Sequence, residues 1–144
     1  MDHIAIMNKS WKLIAKILRC EKTIESRWYK HKIAPWGRIS CGDMIYFKDA
    51  GEPVTARARV LKVLQFEQYN ENTLREMIDE YYDEVRFVSS KEEVFQWALN
   101  KKHCILIFLA DAVDITPFNI DKKGFGNACA WMCVGDIDKV KNRD

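Results

Sequence analysis

The sequence predicts an α+β fold, a partly closed antiparallel or mixed β-barrel with helices packed at its ends. Three observations predict it. Two runs rich in apolar, β-branched or aromatic residues, 44–48 and 54–66, flank the turn signal Asp49-Ala50-Gly51-Glu52-Pro53 and read as a hairpin. Two helical stripes then follow one another over residues 72–102, and two continuous apolar runs, 103–109 and 128–134, read as closing strands. Strands grouped in this way and interrupted by helices belong to α+β architectures, not to alternating parallel units.

Trp11, Leu13, Ile14, Ile17 and Leu18 recur at helical spacing behind Ser10, whose hydroxyl suits an N-cap, so a short amphipathic helix is predicted there. Lys22-Thr23-Ile24-Glu25-Ser26-Arg27 has the alternation and β-branching of a short strand or extended loop, and Trp28 to Ser40, with Pro35 and Gly37 among basic residues, reads as a loop. In the second hairpin strand Val54, Ala56, Ala58 and Val60 mark an inward face and Thr55, Arg57 and Arg59 an outward one. Lys62 breaks that phase, which predicts a bulge at 60–62 that helps the sheet curl. Leu74, Met77, Ile78, Tyr81, Tyr82 and Val85 form one helical stripe opened by Thr73-x-x-Glu76, and Ser90-x-x-Glu93 opens another before Val94, Trp97 and Ala98.

The chain of 144 residues fits one domain, 1–144. Its 48% hydrophobic and 31% charged residues exclude a disordered chain. A formal charge of +2 carries no general basic excess, so a nucleic-acid binder would need a local patch. Cys20, Cys41, Cys104, Cys129 and Cys133 lack a C-x-x-C pair and stand mostly in apolar runs, so they are expected to be free and the protein cytoplasmic, in a reducing setting. Cys129, Cys133 and His103 lack the four-ligand spacing of structural zinc, and no metal is expected. The apolar run 104–110 is far shorter than the roughly 20 residues of a membrane span, and 1–10 has no signal-peptide core; neither insertion nor export is expected.

A local patch is present. Lys22, Arg27, Lys30, Lys32 and Arg38 are interleaved with Trp28, Tyr29, His31 and Trp36. Cationic side chains attract phosphate, a carboxylate accepts hydrogen bonds from a base edge, and aromatic faces stack on bases. An ordinary ion-paired strand surface is the alternative for Lys22, Glu25 and Arg27. Arg57 and Arg59 either join the basic surface or form a solvated strand face.

Glu21 to Arg27, then Pro35-Trp36, then Gly42-Asp43-Met44-Ile45-Tyr46-Phe47 and the long strand to Phe66 resemble the ASCH domain, whose hallmarks are a K-T-x-E-x-R-like and a G-D-x-I-like segment. Ala130-Trp131-Met132-Cys133-Val134 also fits that family's closing strand. The motif core covers 10–66 and the closing strands 103–134. This resemblance implies a PUA-like barrel, similar to EVE and YTH domains, with a cleft between barrel and first helix for RNA, a modified base or a nucleotide. It implies that the motif residues line that cleft; together with the local patch this makes Lys22, Glu25, Arg27, Trp28, Lys30, Lys32 and Arg38 the expected ligand-binding residues, and no cofactor is expected. Glu25 is expected to orient what Lys22 and Arg27 hold, and Trp28 and Trp11 are the cleft aromatics, while Trp36, Trp97 and Trp131 suit burial.

Some ASCH-like proteins remove the acetyl group from acetylcytidine with a lysine, a threonine three residues later and a distant glutamate. Lys22 matches the lysine, but Glu25 occupies the threonine position, so the nucleophilic hydroxyl is missing. RNA cleavage, another ASCH-like activity, needs acid–base groups, for which Lys22, Glu25, Tyr29 and His31 are the candidates. No Gly-rich phosphate loop, H-E-x-x-H or nucleophile elbow points to another enzyme class. The expected function is a module binding RNA or a modified nucleotide. A small hydrolase or nuclease acting on nucleosides or RNA is the alternative, and a protein-interaction adaptor is the third reading.

Overall fold

The structure, a computed structural model, describes residues 1–125 and 129–142. Its strands are β1 (Asp2–Met7), β2 (Ile24–Tyr29), β3 (Met44–Asp49), β4 (Val54–Glu67), β5 (His103–Phe118) and β6 (Trp131–Gly135). They form one sheet in the order β2-β5-β4-β3-β1-β6. β1 and β3 run parallel and the other neighbours antiparallel, so the curled sheet is a mixed, partly closed barrel of the PUA-like kind.

The predicted hairpin is β3–β4, with Ile45 opposite Ala58 and Phe47 opposite Ala56. Its inward face is fully buried: Val54, Ala56, Ala58 and Val60 expose nothing. The register slips between Val60 and Lys62 and turns Leu61 out to 50% exposure, which is the bulge that the broken phase predicts. The first half of β5, 104–109, is continuous in apolar residues because both its faces are covered. Ile105 and Ile107 point into the barrel with Ala5, Ile45 and Phe47, where Leu13, Ile14 and Ile17 of α1 (Leu13–Leu18) pack onto them. Cys104 and Leu106 point outward, under Leu74, Met77 and Ile78 of α2 (Glu71–Val85) and Val94 and Phe95 of α3 (Lys91–Ala98).

The structure departs from the sequence reading at several ends. β1 was not anticipated, yet it lies between β3 and β6 with His3, Ile4 and Ala5 fully buried. The first helix opens as a 3-10 turn at Lys9–Trp11, where Asn8 accepts from the Ser10 amide at 3.0 Å, so Asn8 and not Ser10 is the cap. Lys12, at φ 55°, separates that turn from α1. α2 is capped by Asn70, whose side chain accepts from the Thr73 amide, so Thr73-x-x-Glu76 lies inside the helix. The Ser90–Glu93 capping box is present as predicted. β5 runs nine residues past the predicted end at Leu109, while Gly126 of the predicted loop and Ala128 of the predicted last strand lie outside the described residues.

Candidate functional site

Lys22 is where three elements meet. Its backbone amide donates to Lys16 O at 3.1 Å, which ties it to the last turn of α1. Its side chain, only 2% exposed, turns back across the start of β2. The ammonium donates to Ile24 O at 2.9 Å and Val85 O at 2.6 Å and stands 3.4 Å from Glu25 Oε1. Val85 O is one of the terminal carbonyls of α2 that no amide of the helix can reach, and a cation there also faces the negative end of the helix dipole. Lys22 therefore joins β2 to the C-terminus of α2 through a single charge, while its backbone amide ties it to α1.

Glu25 lies between two cations. Oε1 accepts from the Ser26 amide at 3.0 Å and faces Lys22, while Oε2 is 3.4 Å from Arg27 Nη2. Burial pushes the Lys22 ammonium below its ordinary value against the attraction of Glu25. Burial also works to raise Glu25, but Lys22, Arg27 and the Ser26 amide outweigh it and hold the carboxyl below the usual range. The three charges that the sequence singles out do converge, because the chain bends between α1 and β2 and brings Lys22 to the same carboxylate as Arg27.

Arg27 nevertheless faces away from Lys22. It crosses the gap between β2 and the far side of the sheet, donating to Ala130 O at 3.3 Å and Ile6 O at 3.5 Å and lying 5.1 Å above the Trp131 ring. β2 and β6 are the two edges of the strand order, so this side chain bridges the open seam of the barrel.

Beside Lys22 opens a cleft of about 510 Å³. Its floor is Lys22, Glu25 and Ser26, and Trp28 closes the back. Trp28 is 9% exposed, donates from Nε1 to Ser26 Oγ at 3.0 Å, and stands edge-on to Trp97 at 5.9 Å. Trp11 comes from the 3-10 turn before α1, Trp97 from α3, and Arg86 and Phe87 from the α2–α3 connection. Trp11 and Trp97 are 46% and 47% exposed, so the mouth carries two tryptophan rings held by the backbone but open to solvent.

The sequence residues divide accordingly. Lys22, Glu25, Trp28 and Trp11 line the cleft; Arg27, Tyr29, Lys30, Lys32 and Arg38 do not. Tyr29 is half-buried against the barrel core, where burial raises its phenol above the ordinary value and Arg27 opposes that rise. Lys32 is ion-paired with Glu67, and Arg38 acts on His3 and Cys133 near β6. The cleft itself balances Lys22 and Arg86 against Glu25 and Glu93, so the expected concentration of positive charge lies outside it. Trp97 is corrected from buried to cleft-lining: Val94, Phe95 and Ala98 take the buried stripe of the short α3 and leave it at the margin. Trp131, at 3% exposure, is buried as expected, and Trp36 packs edge-on to His103 at 5.2 Å. Arg86 had no sequence signal, because it follows a helix end in the left-handed conformation, φ 61°, that usually belongs to glycine or asparagine.

No known family profile matches the chain. No curated protein matches it either. Solved structures do. The crystal structure of ASCH from Zymomonas mobilis has a TM-score of 0.64 at 16% identity, covering 91% of this chain and 85% of that one. Crystal structures of a tyrosine-to-phenylalanine and a serine-to-alanine mutant of that protein give TM-scores of 0.62 and 0.63 at 16% and 19% identity, again over 91% of this chain and over 88% and 86% of theirs. At such identity the likeness is one of architecture, and it agrees with the motif resemblance over Glu21 to Phe66. The chain is built on the ASCH-domain fold.

Proposed function

We propose that the cleft binds a nucleobase, presented by RNA or by a modified nucleotide, and that the domain is a recognition module. The observation that carries this reading is the pairing of an aromatic mouth, Trp11 and Trp97, with a polar floor, Lys22, Glu25 and Ser26. Indole rings offer a stacking surface to any base, at about 1–3 kcal/mol per stacked base. With the Lys22 ammonium taken up by its three acceptors, the Ser26 hydroxyl and the remaining lone pairs of Glu25 are the donor and acceptors that the floor offers to a base edge. A volume of about 510 Å³ suits a small planar ligand.

The hydrolase alternative has less support. A lysine acting as nucleophile or base needs a free lone pair, whereas the Lys22 ammonium faces three acceptors, and Tyr29 lies away from the cleft. The test is tryptophan-fluorescence titration of wild type and Trp97→Ala with a panel of plain and modified nucleosides. Trp97→Ala is expected to weaken binding by tenfold or more with unchanged melting, since the ring is half exposed. Equal affinity of the two proteins, or no binding by wild type, would sink the reading.

A further inference from the structure

We propose that Lys30, Lys101 and Lys102 form a phosphodiester track leading out of the cleft, so that the ligand is single-stranded RNA with one base in the cleft rather than a free nucleoside. This rests on the nucleobase reading of the cleft. The lysines are far apart in sequence and are gathered by strand pairing. Tyr29, the last residue of β2, is opposite His103, the first of β5, so Lys30 leaves the sheet where Lys101 and Lys102 enter it. Lys32 follows in the same loop but is spent on Glu67. Among the described residues Lys30, Lys101 and Lys102 have no carboxylate partner, which leaves three unneutralised charges at one end of the barrel.

The cluster is continuous with the cleft. Lys101 Nζ lies 5.0 Å over the ring of Trp97, a cleft wall, so the first cation of the track touches the aromatic that would stack the base. The loop is also held. Lys102 has φ 130°, a backbone region that favours glycine, and is kept there by Gln68 N donating to Lys102 O at 2.6 Å and by Lys102 N donating to Tyr69 Oη at 3.3 Å. A charged side chain on a strained but fixed backbone presents its ammonium without the loop having to order on binding. An aromatic platform followed by a row of cations repeats the alternation of base and phosphate in a single strand.

The probes are an equimolar mixture of the four nucleosides, which lack phosphate, and a mixed-sequence RNA of about eight nucleotides. Both are titrated against wild type, Trp97→Ala and the double variant Lys30→Ala/Lys102→Gly at several salt concentrations. Glycine at 102 removes the charge and relieves the backbone, so the fold is kept. The RNA is expected to bind wild type more tightly than the nucleosides do. In the double variant the slope of log affinity against log salt should fall by about 1.4, or about 0.7 for each lost phosphate contact, while nucleoside binding stays at the wild-type level. An unchanged RNA slope in the double variant, with Trp97→Ala still losing both probes, would overturn the track and leave the cleft reading standing. Competition by polyglutamate as effective as that by RNA would overturn it in favour of a surface for acidic protein segments. If wild type binds neither probe at low salt, the cleft reading itself fails and the track with it.

Discussion

Replacing Lys22 with methionine removes one charge and leaves a side chain of similar length, so no large cavity term enters. The loss is then electrostatic and hydrogen-bonding. Ile24 O and Val85 O lose a charged donor, and each buried acceptor left unpaired costs about 1–3 kcal/mol. Breaking a buried ion pair by deleting one partner costs about 3–5 kcal/mol when the other charge is stranded. Glu25 is not wholly stranded, since the Ser26 amide at 3.0 Å and Arg27 at 3.4 Å remain, and relief of the lysine's own desolvation offsets part of the loss. About 3 kcal/mol is therefore expected, a large share of the 5–15 kcal/mol that holds a domain of this size. Urea unfolding at neutral pH should show the midpoint falling by about 1–2 M with an unchanged slope. A loss under about 0.5 kcal/mol, no more than an exposed lysine would give, would refute the assignment of the Lys22 ammonium as the junction of β2 and α2. The sequence alone suggests that Lys22→Ala weakens binding without unfolding the domain; the buried geometry makes the folded fraction the first thing to measure in any such variant.

Arg27→Ala should lose about 2 kcal/mol through its long hydrogen bonds to Ala130 O and Ile6 O and its contact with the Trp131 ring, and Arg27→Lys should not restore it, because an ammonium cannot fork and stack at once; full rescue by lysine in thermal melts would contradict this. Acid should destabilise the fold in two stages. Burial depresses the folded pKa of His3 below its ordinary 6.5, so the unfolded chain protonates first and stability drops as pH falls below about 6.5, until the folded-state value is passed. Asp43, raised by burial but lowered more by His3 and the Ser40 amide, and Glu25 titrate below 3.8 and 4.5, so their contribution is present above those values and lost as pH falls through the folded pKa values. Melting of His3→Gln from pH 8 to 3 should lack the upper stage, and its persistence would remove His3 as the cause. All five cysteines are free, and Ellman titration without reductant should count five in denaturant; in the native protein Cys20 and Cys41 should react quickly, while Cys104, buried and with its thiol pushed well up, should react only on unfolding.

The hairpin, the bulge at Leu61, the stripe of α2 and the Ser90 cap were legible because each rests on contacts between near neighbours in sequence. β1 was not, since its apolar run is short, lacks flanking turn residues and becomes a strand only by pairing with β3 some forty residues later and with β6 near the end. The helix starts at Asn8 and Asn70 were missed because Ser10 and Thr73 offer equally good capping chemistry a few residues on, and backbone geometry chooses between them. For the site, residue type identified Lys22 and Glu25, but the side of the sheet to which Arg27 turns depends on how far the barrel closes. Trp97 and Arg86 enter the cleft through the angle at which α3 follows α2, which no local pattern encodes.

The unclosed seam has a further consequence, for behaviour at high concentration. A sheet with two free edges can recruit strands from other molecules and grow into fibres. β6 is a poor recruit, with five residues that end at Gly135 in a left-handed turn of φ 78°. β2 is guarded at its start by the bond from Thr23 N to Glu84 O and along its length by the guanidinium of Arg27, which occupies the approach between β2 and β1. A charge placed across an edge costs an incoming strand its desolvation. Arg27 thus works as a gatekeeper of the sheet edge, and variants without it should form fibrils sooner than their loss of stability alone would explain.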